Sequence, residues 1–175
     1  MQYLEHFFNL ITIFKHAFRE GEVPVGAIIV DGNNSVIASS RNHVEELHDA
    51  TAHAEVDCLR RASNYFKYWR LSDCTLYSTL EPCPMCMAAI QAGRLKRVVF
   101  GAKDLRLGAC GSFVNLGDET RTDYLKHPFH SVQVTGGVLA DQSALMLRRF
   151  FQVARRRDIE RDWADPEEPS FQIVK

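Results

Sequence analysis

The sequence predicts an α/β domain in which a mixed sheet lies between layers of helix. Three observations point there. Stretches with apolar residues at helical spacing alternate with short runs of strand character. One turn-linked pair of strands precedes that alternation. Apolar residues make up 46% of the 175-residue chain, enough for one proper core.

Each element has its own signal. Leu4, Phe7, Ile11, Phe14 and Phe18 recur at helical spacing, which predicts a first helix over 3–19, stopped by Gly21. Strands are expected over 25–30 and 35–40, joined by the turn sequence DGNN at 31–34. A polar loop then runs to Ala50, and Thr51 is placed to cap a helix with Val56, Leu59 and Ala62 on one face. Further strands are expected over 75–79, 97–101 and 132–135, with a helix over 83–93 between the first two. Asp141 is expected to cap a long last helix that reaches about residue 158. With no internal repeat in view, the chain reads as one domain over 1–158 and an acidic, flexible tail over 159–175.

Charge and cysteine usage narrow the function classes. The formal net charge is −1, but residues 158–175 carry a net −4, which leaves +3 on residues 1–157. Two basic clusters stand out: Arg94, Lys96, Arg97, Lys103 and Arg106, then Arg148, Arg149, Arg155, Arg156 and Arg157. Taken alone, such clusters are solvated faces. No apolar run reaches the roughly 18 residues of a membrane span, and the first residues lack the pattern of a signal peptide. That predicts a cytoplasmic protein with reduced thiols and no membrane partner. Five cysteines, an odd number, do not suggest a disulfide framework.

The stretch TLEPCPMC at 79–86 places Cys83 and Cys86 at a strand-to-helix junction. With Cys83 as N-cap, Pro84 takes the first helical position, where its missing N–H costs nothing. Both sulfurs then sit at one helix end, where free N–H groups and the helix dipole favour thiolates. A CxxC pair alone is also compatible with redox exchange, and a closed structural zinc site would need a second pair, which is absent. The stretch TAHAE at 51–55 puts His53 and Glu55 in the first turn of another helix, leaning towards its N-terminus. If that end faces the Cys83 helix, His53, Cys83 and Cys86 supply three ligands and leave a fourth position open for water, the pattern of catalytic zinc. Zinc lets water ionise near neutral pH, and Glu55 is then the natural proton carrier to substrate and leaving group. A lone His or a first-turn Glu is ordinary, but H-x-E followed by P-C-x-x-C is the signature of zinc nucleobase deaminases.

Beyond that motif, the sequence resembles the bacterial tRNA-specific adenosine deaminases over about 21–157. The matching stretches are EVPVGAIIV, Asn42, TAHAE, WRL, TLYSTLEPC, RVVFGAKD, GACGS, GVLAD and RRFF. The resemblance implies a three-layer α/β/α cytidine-deaminase-like fold with a mixed five-stranded sheet. It also implies conversion of the wobble adenosine of a tRNA anticodon to inosine by a homodimer holding one zinc per subunit. Carried over by position, His53, Cys83 and Cys86 would hold the metal and Glu55 would shuttle protons. Asn42 would hydrogen-bond the flipped base, Asp104 would lie near the bound nucleotides, and the basic clusters, Lys103 and Arg148 among them, would hold phosphates of the anticodon stem-loop. Phe151 of RRFF joins that substrate-binding set. By residue type alone, Asn42 and Asp104 would be turn formers.

The sequence departs from the family pattern in PCPMCM, which has Pro84 and Met87 and is shared in part by guanine deaminases, in a long polar segment over 116–130, and in the acidic tail. Guanine or another free purine is the alternative substrate, and a cytidine deaminase or a non-catalytic zinc module are the readings from other classes.

Overall fold

The computed structural model describes residues 2–117 and 130–155. In chain order the elements are α1 (Gln2–Arg19), β1 (Gly26–Val30), β2 (Val36–Arg41), α2 (Val44–Leu47), α3 (Ala54–Phe66), β3 (Thr75–Leu80), α4 (Pro84–Ala92), β4 (Arg97–Ala102), β5 (Gln133–Thr135) and α5 (Ala140–Arg155). The five strands form one sheet in the order β2-β1-β3-β4-β5. β1 runs antiparallel to both β2 and β3, whereas β3–β4 and β4–β5 are parallel, so the sheet is mixed, as expected. The hairpin turn is built by Asp31, whose Oδ1 accepts the N–H groups of Asn33 at 2.9 Å and Ser35 at 2.8 Å. Asn34 takes up the left-handed backbone that closes it, at φ 66°.

Strand alternation sends side chains to two cores. On one face Phe7 and Leu10 of α1 pack with Ile28, Val30, Tyr77 and Val99. On the other, Ala54, Cys58, Leu59 and Ala62 of α3 and Met87 and Ile90 of α4 pack with Ala27, Ile29, Leu76 and Val98. Every residue of β1 is therefore buried, as a strand covered on both faces must be. An edge-on contact between the Phe18 and Phe150 rings, 5.8 Å apart, joins α1 to α5 on the first face. Each fully buried large side chain contributes about 1.5–3 kcal/mol, so a sheet sandwiched in this way is a stiff platform for the helix ends above it.

The structure corrects several sequence expectations. The polar loop before residue 50 contains α2, a short helix whose N-terminus is capped from a distance: Glu22 Oε1 accepts the N–H groups of Glu45 at 2.9 Å and Glu46 at 3.0 Å. Thr51 does not cap α3. The N-cap is His53, and the Thr51 hydroxyl donates instead to Asp49 Oδ1 at 2.8 Å. The buried stripe of α3 runs through Cys58 rather than Val56, which is half-buried. α5 begins one residue before Asp141, so that acid lies in the first turn and complements the dipole without being the cap. The side chains of Leu4, Ile11 and Phe14, the end of the last helix near 158, most of the 116–130 segment and the acidic tail lie outside the described residues.

Candidate metal centre and active site

The site forms where α3 and α4 begin. His53 and Cys83 are the N-caps of their helices, both in extended backbone, and neither uses its side chain to cap. Their side chains are thereby left to face each other. For α3 the capping work passes to Asn42, whose Oδ1 accepts the Ala54 N–H at 3.0 Å. For α4, Pro84 at the first position needs no donor, and Cys86 is carried round to the side of Cys83 by a single turn.

His53 Nδ1 lies 3.7 Å from Cys83 Sγ and 3.5 Å from Cys86 Sγ, and the three candidate ligand atoms all fall within 4.8 Å of one another. On a tetrahedral zinc, bonds of about 2.3 Å to sulfur and about 2.0 Å to nitrogen place those two atoms about 3.5 Å apart. The separations therefore fit that ion. The hydrogen bond from Cys86 holds the Cys83 thiol down at about 4, and the same contact, with burial, holds Cys86 well above the ordinary thiol range. His53 is held above its usual value by its contact with Cys83.

Glu55, 3% exposed, stands directly against this group. Its Oε1 accepts from the Ser78 hydroxyl at 3.1 Å, and the Cys86 thiol approaches its Oε2 at 3.6 Å. Burial pushes its carboxyl above the ordinary value of 4.5. A carboxyl raised in this way takes and releases protons closer to neutrality than an exposed one, which suits an acid–base role. Ser78 was not among the sequence-derived candidates. Its only signal there is a hydroxyl inside an otherwise buried strand.

The remaining candidates divide. Asn42, 7% exposed, is next to His53 through its bond to Ala54. Asp104 is a turn former: its Oδ1 accepts the N–H groups of Arg106 at 2.9 Å and Leu107 at 3.3 Å. Lys103 precedes it at the end of β4 and is exposed. Arg148 and Phe151 lie exposed on α5, across the sheet from the ligands, and no described hydrogen bond or ion pair links them to the His53 group.

The first basic cluster is not one patch. The six residues of β4 separate Arg94 and Lys96 from Lys103 and Arg106 by about 20 Å. Arg97 instead bonds Gln133 Oε1 on the neighbouring strand at 2.8 Å. Among the described residues no helix is long and apolar enough to cross a membrane.

Comparison with known proteins gives this geometry a family. Residues 1–135 match the model of the MafB19-like deaminases. The chain is 42% identical over 135 residues to the tRNA-specific adenosine deaminase of Haemophilus influenzae, covering 77% of this chain and 75% of that one. It is 43% identical over 149 residues, 79% of its length, to the chloroplastic tRNA(adenine(34)) deaminase of Arabidopsis thaliana, of which it spans only 11%. A solved structure from work on A-to-I editing by tRNA:A34 deaminases superposes with a TM-score of 0.68 at 38% identity, covering 77% of this chain and 99% of the other. The guanine deaminase of Nitrosomonas europaea shares the fold, with a TM-score of 0.62 at 22% identity over 81% of each chain. At 42% identity over 75% of the Haemophilus influenzae protein, the chain belongs to the tRNA-specific adenosine deaminases.

Proposed function

We propose that this chain is a zinc-dependent hydrolase that converts adenosine to inosine at the wobble position of a tRNA anticodon. It would work in the cytoplasm as a homodimer, with one zinc per subunit. The observation that carries the chemistry is the convergence of His53, Cys83 and Cys86 at ligand spacing with the buried Glu55 beside them. The relatives' substrate supplies the rest of the reading.

In this reading His53, Cys83 and Cys86 would hold the metal, and zinc there would supply the Lewis acidity that lets water lose its proton near neutral pH. Glu55 would take that proton on its carboxylate and pass it to a purine ring nitrogen. It would then take the proton of the hydroxyl newly joined to the ring carbon and give it to the amino group, which leaves as ammonia while the carbonyl forms. Ser78 orients the carboxylate through its hydroxyl, and Asn42 holds the first turn of α3, and so His53, in place while facing the base. Lys103, Asp104, Arg148 and Phe151 are assigned to the RNA. An anticodon loop presents its base already unpaired, which keeps the cost of seating it low.

The experiment compares zinc-loaded protein on an anticodon stem-loop with adenosine at the wobble position and on free guanine, which the shared PCPMC and TAHAE stretches make the competing substrate. Inosine in the RNA, formed less readily as salt rises, is the expected result. Ammonia from guanine with unconverted RNA would overturn the substrate and leave the metal chemistry standing.

A further inference from the structure

Beside the ligands runs a loop that contains no helix or strand, only an isolated bridge between Cys110 and Asn115. One side chain holds it. Glu81 immediately follows β3, two residues before Cys83, and is 2% exposed. Its Oε1 accepts the N–H of Cys110 at 2.9 Å and of Ser112 at 3.1 Å. Its Oε2 accepts the N–H of Asp104 at 3.1 Å and the Ser112 hydroxyl. Among the described residues no ion pair involves this carboxylate. Its charge is met by oriented N–H and O–H dipoles, which is how a buried anion binds a loop backbone.

The same loop is stitched to the segment that carries the thiols. The Ala109 N–H donates to the Pro82 carbonyl at 2.8 Å, and the Cys110 thiol lies 3.8 Å from Met87 Sδ. A Cβ at Gly108 would run into the Glu81 carboxylate and stand 2.5 Å from the Asp104 carbonyl oxygen, so the loop closes tightly over Glu81. What it presents outward is unusual for a braced loop: Leu105 is 77% exposed, Leu107 50% and Phe113 65%, with Lys103 and Arg106 between and beside them. Large exposed apolar groups interleaved with cations on a rigid loop suit unpaired bases and the phosphates that join them.

We propose that Glu81 is a positioning residue for the RNA: it locks the Asp104–Ser112 loop beside the ligand group so that Lys103, Leu105, Arg106, Leu107 and Phe113 form a fixed rim for the anticodon loop. The proposal rests on the reading of the chain as a tRNA deaminase. It differs from metal binding and from proton transfer, since among the described residues the Glu81 carboxylate bonds to the loop alone and its N–H to the Ala102 carbonyl of β4.

Three variants test it on the zinc-loaded full chain. Glu81→Gln removes the charge and half of the acceptor capacity. Gly108→Ala keeps the carboxylate but pushes the loop off it. Ser112→Ala removes one donor and is the mildest. Amide hydrogen exchange is read at Asp104, Cys110 and Ser112, and kcat and KM are read on the wobble-adenosine stem-loop. Expected are faster exchange at those three amides and a KM raised on the order of 10- to 100-fold in the two stronger variants. Ser112→Ala moves the same way but less, kcat changes less than KM, and zinc stays at one per chain. Unchanged exchange in Glu81→Gln would overturn the brace. Faster exchange with an unmoved KM would overturn its use for RNA. If wild-type protein leaves the stem-loop unconverted, the deaminase reading fails, and the exchange data alone then decide for or against the brace.

Discussion

The ligand group and the loop beside it are built by opposite means. His53, Glu55, Cys83 and Cys86 are placed by the first turns of two helices, so each side chain's position follows from its neighbours within a few residues. The loop has no such local rule. Its shape is imposed by Glu81, bonded to residues 23, 29 and 31 positions away. α2 is held in the same manner by Glu22 across 23 and 24 positions. The ligand group sits on helix ends, while the loop beside it and α2 are each tied down by a single buried carboxylate.

The largest effect that sharpens this contrast comes from the ligands themselves. Cys86→Ala takes one of the three donors from the group and is expected to abolish zinc retention, with turnover at background. Metal analysis after gel filtration checks it. Next comes Asn42, which couples the two kinds of construction. Asn42→Ala leaves the Ala54 N–H without its acceptor at a cost of about 1 kcal/mol, read as a fall in Tm of about 2–4 °C. Asn42→Asp keeps an oxygen for that N–H and should restore the Tm without restoring RNA turnover. Recovery of both would show that Asn42 only caps.

Acidity gives a third effect. Glu55 is held above 4.5 by burial, so in chelator-treated protein the folded state keeps a proton that the unfolded chain releases. The stability that Glu55 contributes is then full below about 4.5 and lost as pH rises through the raised folded value, and that of His53 has the same sign, whereas Cys83, held down at about 4, contributes stability that grows with pH. In denaturant melts of metal-free protein, the stability of wild type relative to Glu55→Gln should therefore fall as pH rises through that range. A difference that stays constant with pH would take Glu55 out of the account. The smallest effect is expected at Thr51: its hydroxyl reaches only Asp49 at an exposed turn, so Thr51→Ala should cost about 0.5 kcal/mol or less.

The same contrast decides what could be read before the structure. The sheet, its hairpin, α4 with Cys83 as N-cap and Pro84 behind it, and the approach of His53 to the thiols were legible because periodicity, turn chemistry and helix-end geometry are local. Thr51 was misread as a cap because any hydroxyl before a helix looks like one, whereas the bond that serves this helix comes from Asn42, twelve positions away. The first basic cluster stood out because its members are close in sequence, yet they lie at opposite ends of β4. Glu22, Ser78 and Glu81 escaped for a related reason. Each is a polar residue in or near a strand, and what makes it matter is a partner far along the chain.

The most direct test of the account is Glu55→Gln measured beside wild type for zinc content and for inosine formed in the anticodon stem-loop. The amide keeps the shape of the carboxyl and can still accept from Ser78, but it cannot carry the proton. Both proteins should hold one zinc per chain, with turnover in the variant lower by about 10²- to 10⁴-fold. Equal turnover in the two proteins at equal zinc content would contradict the mechanism at its centre.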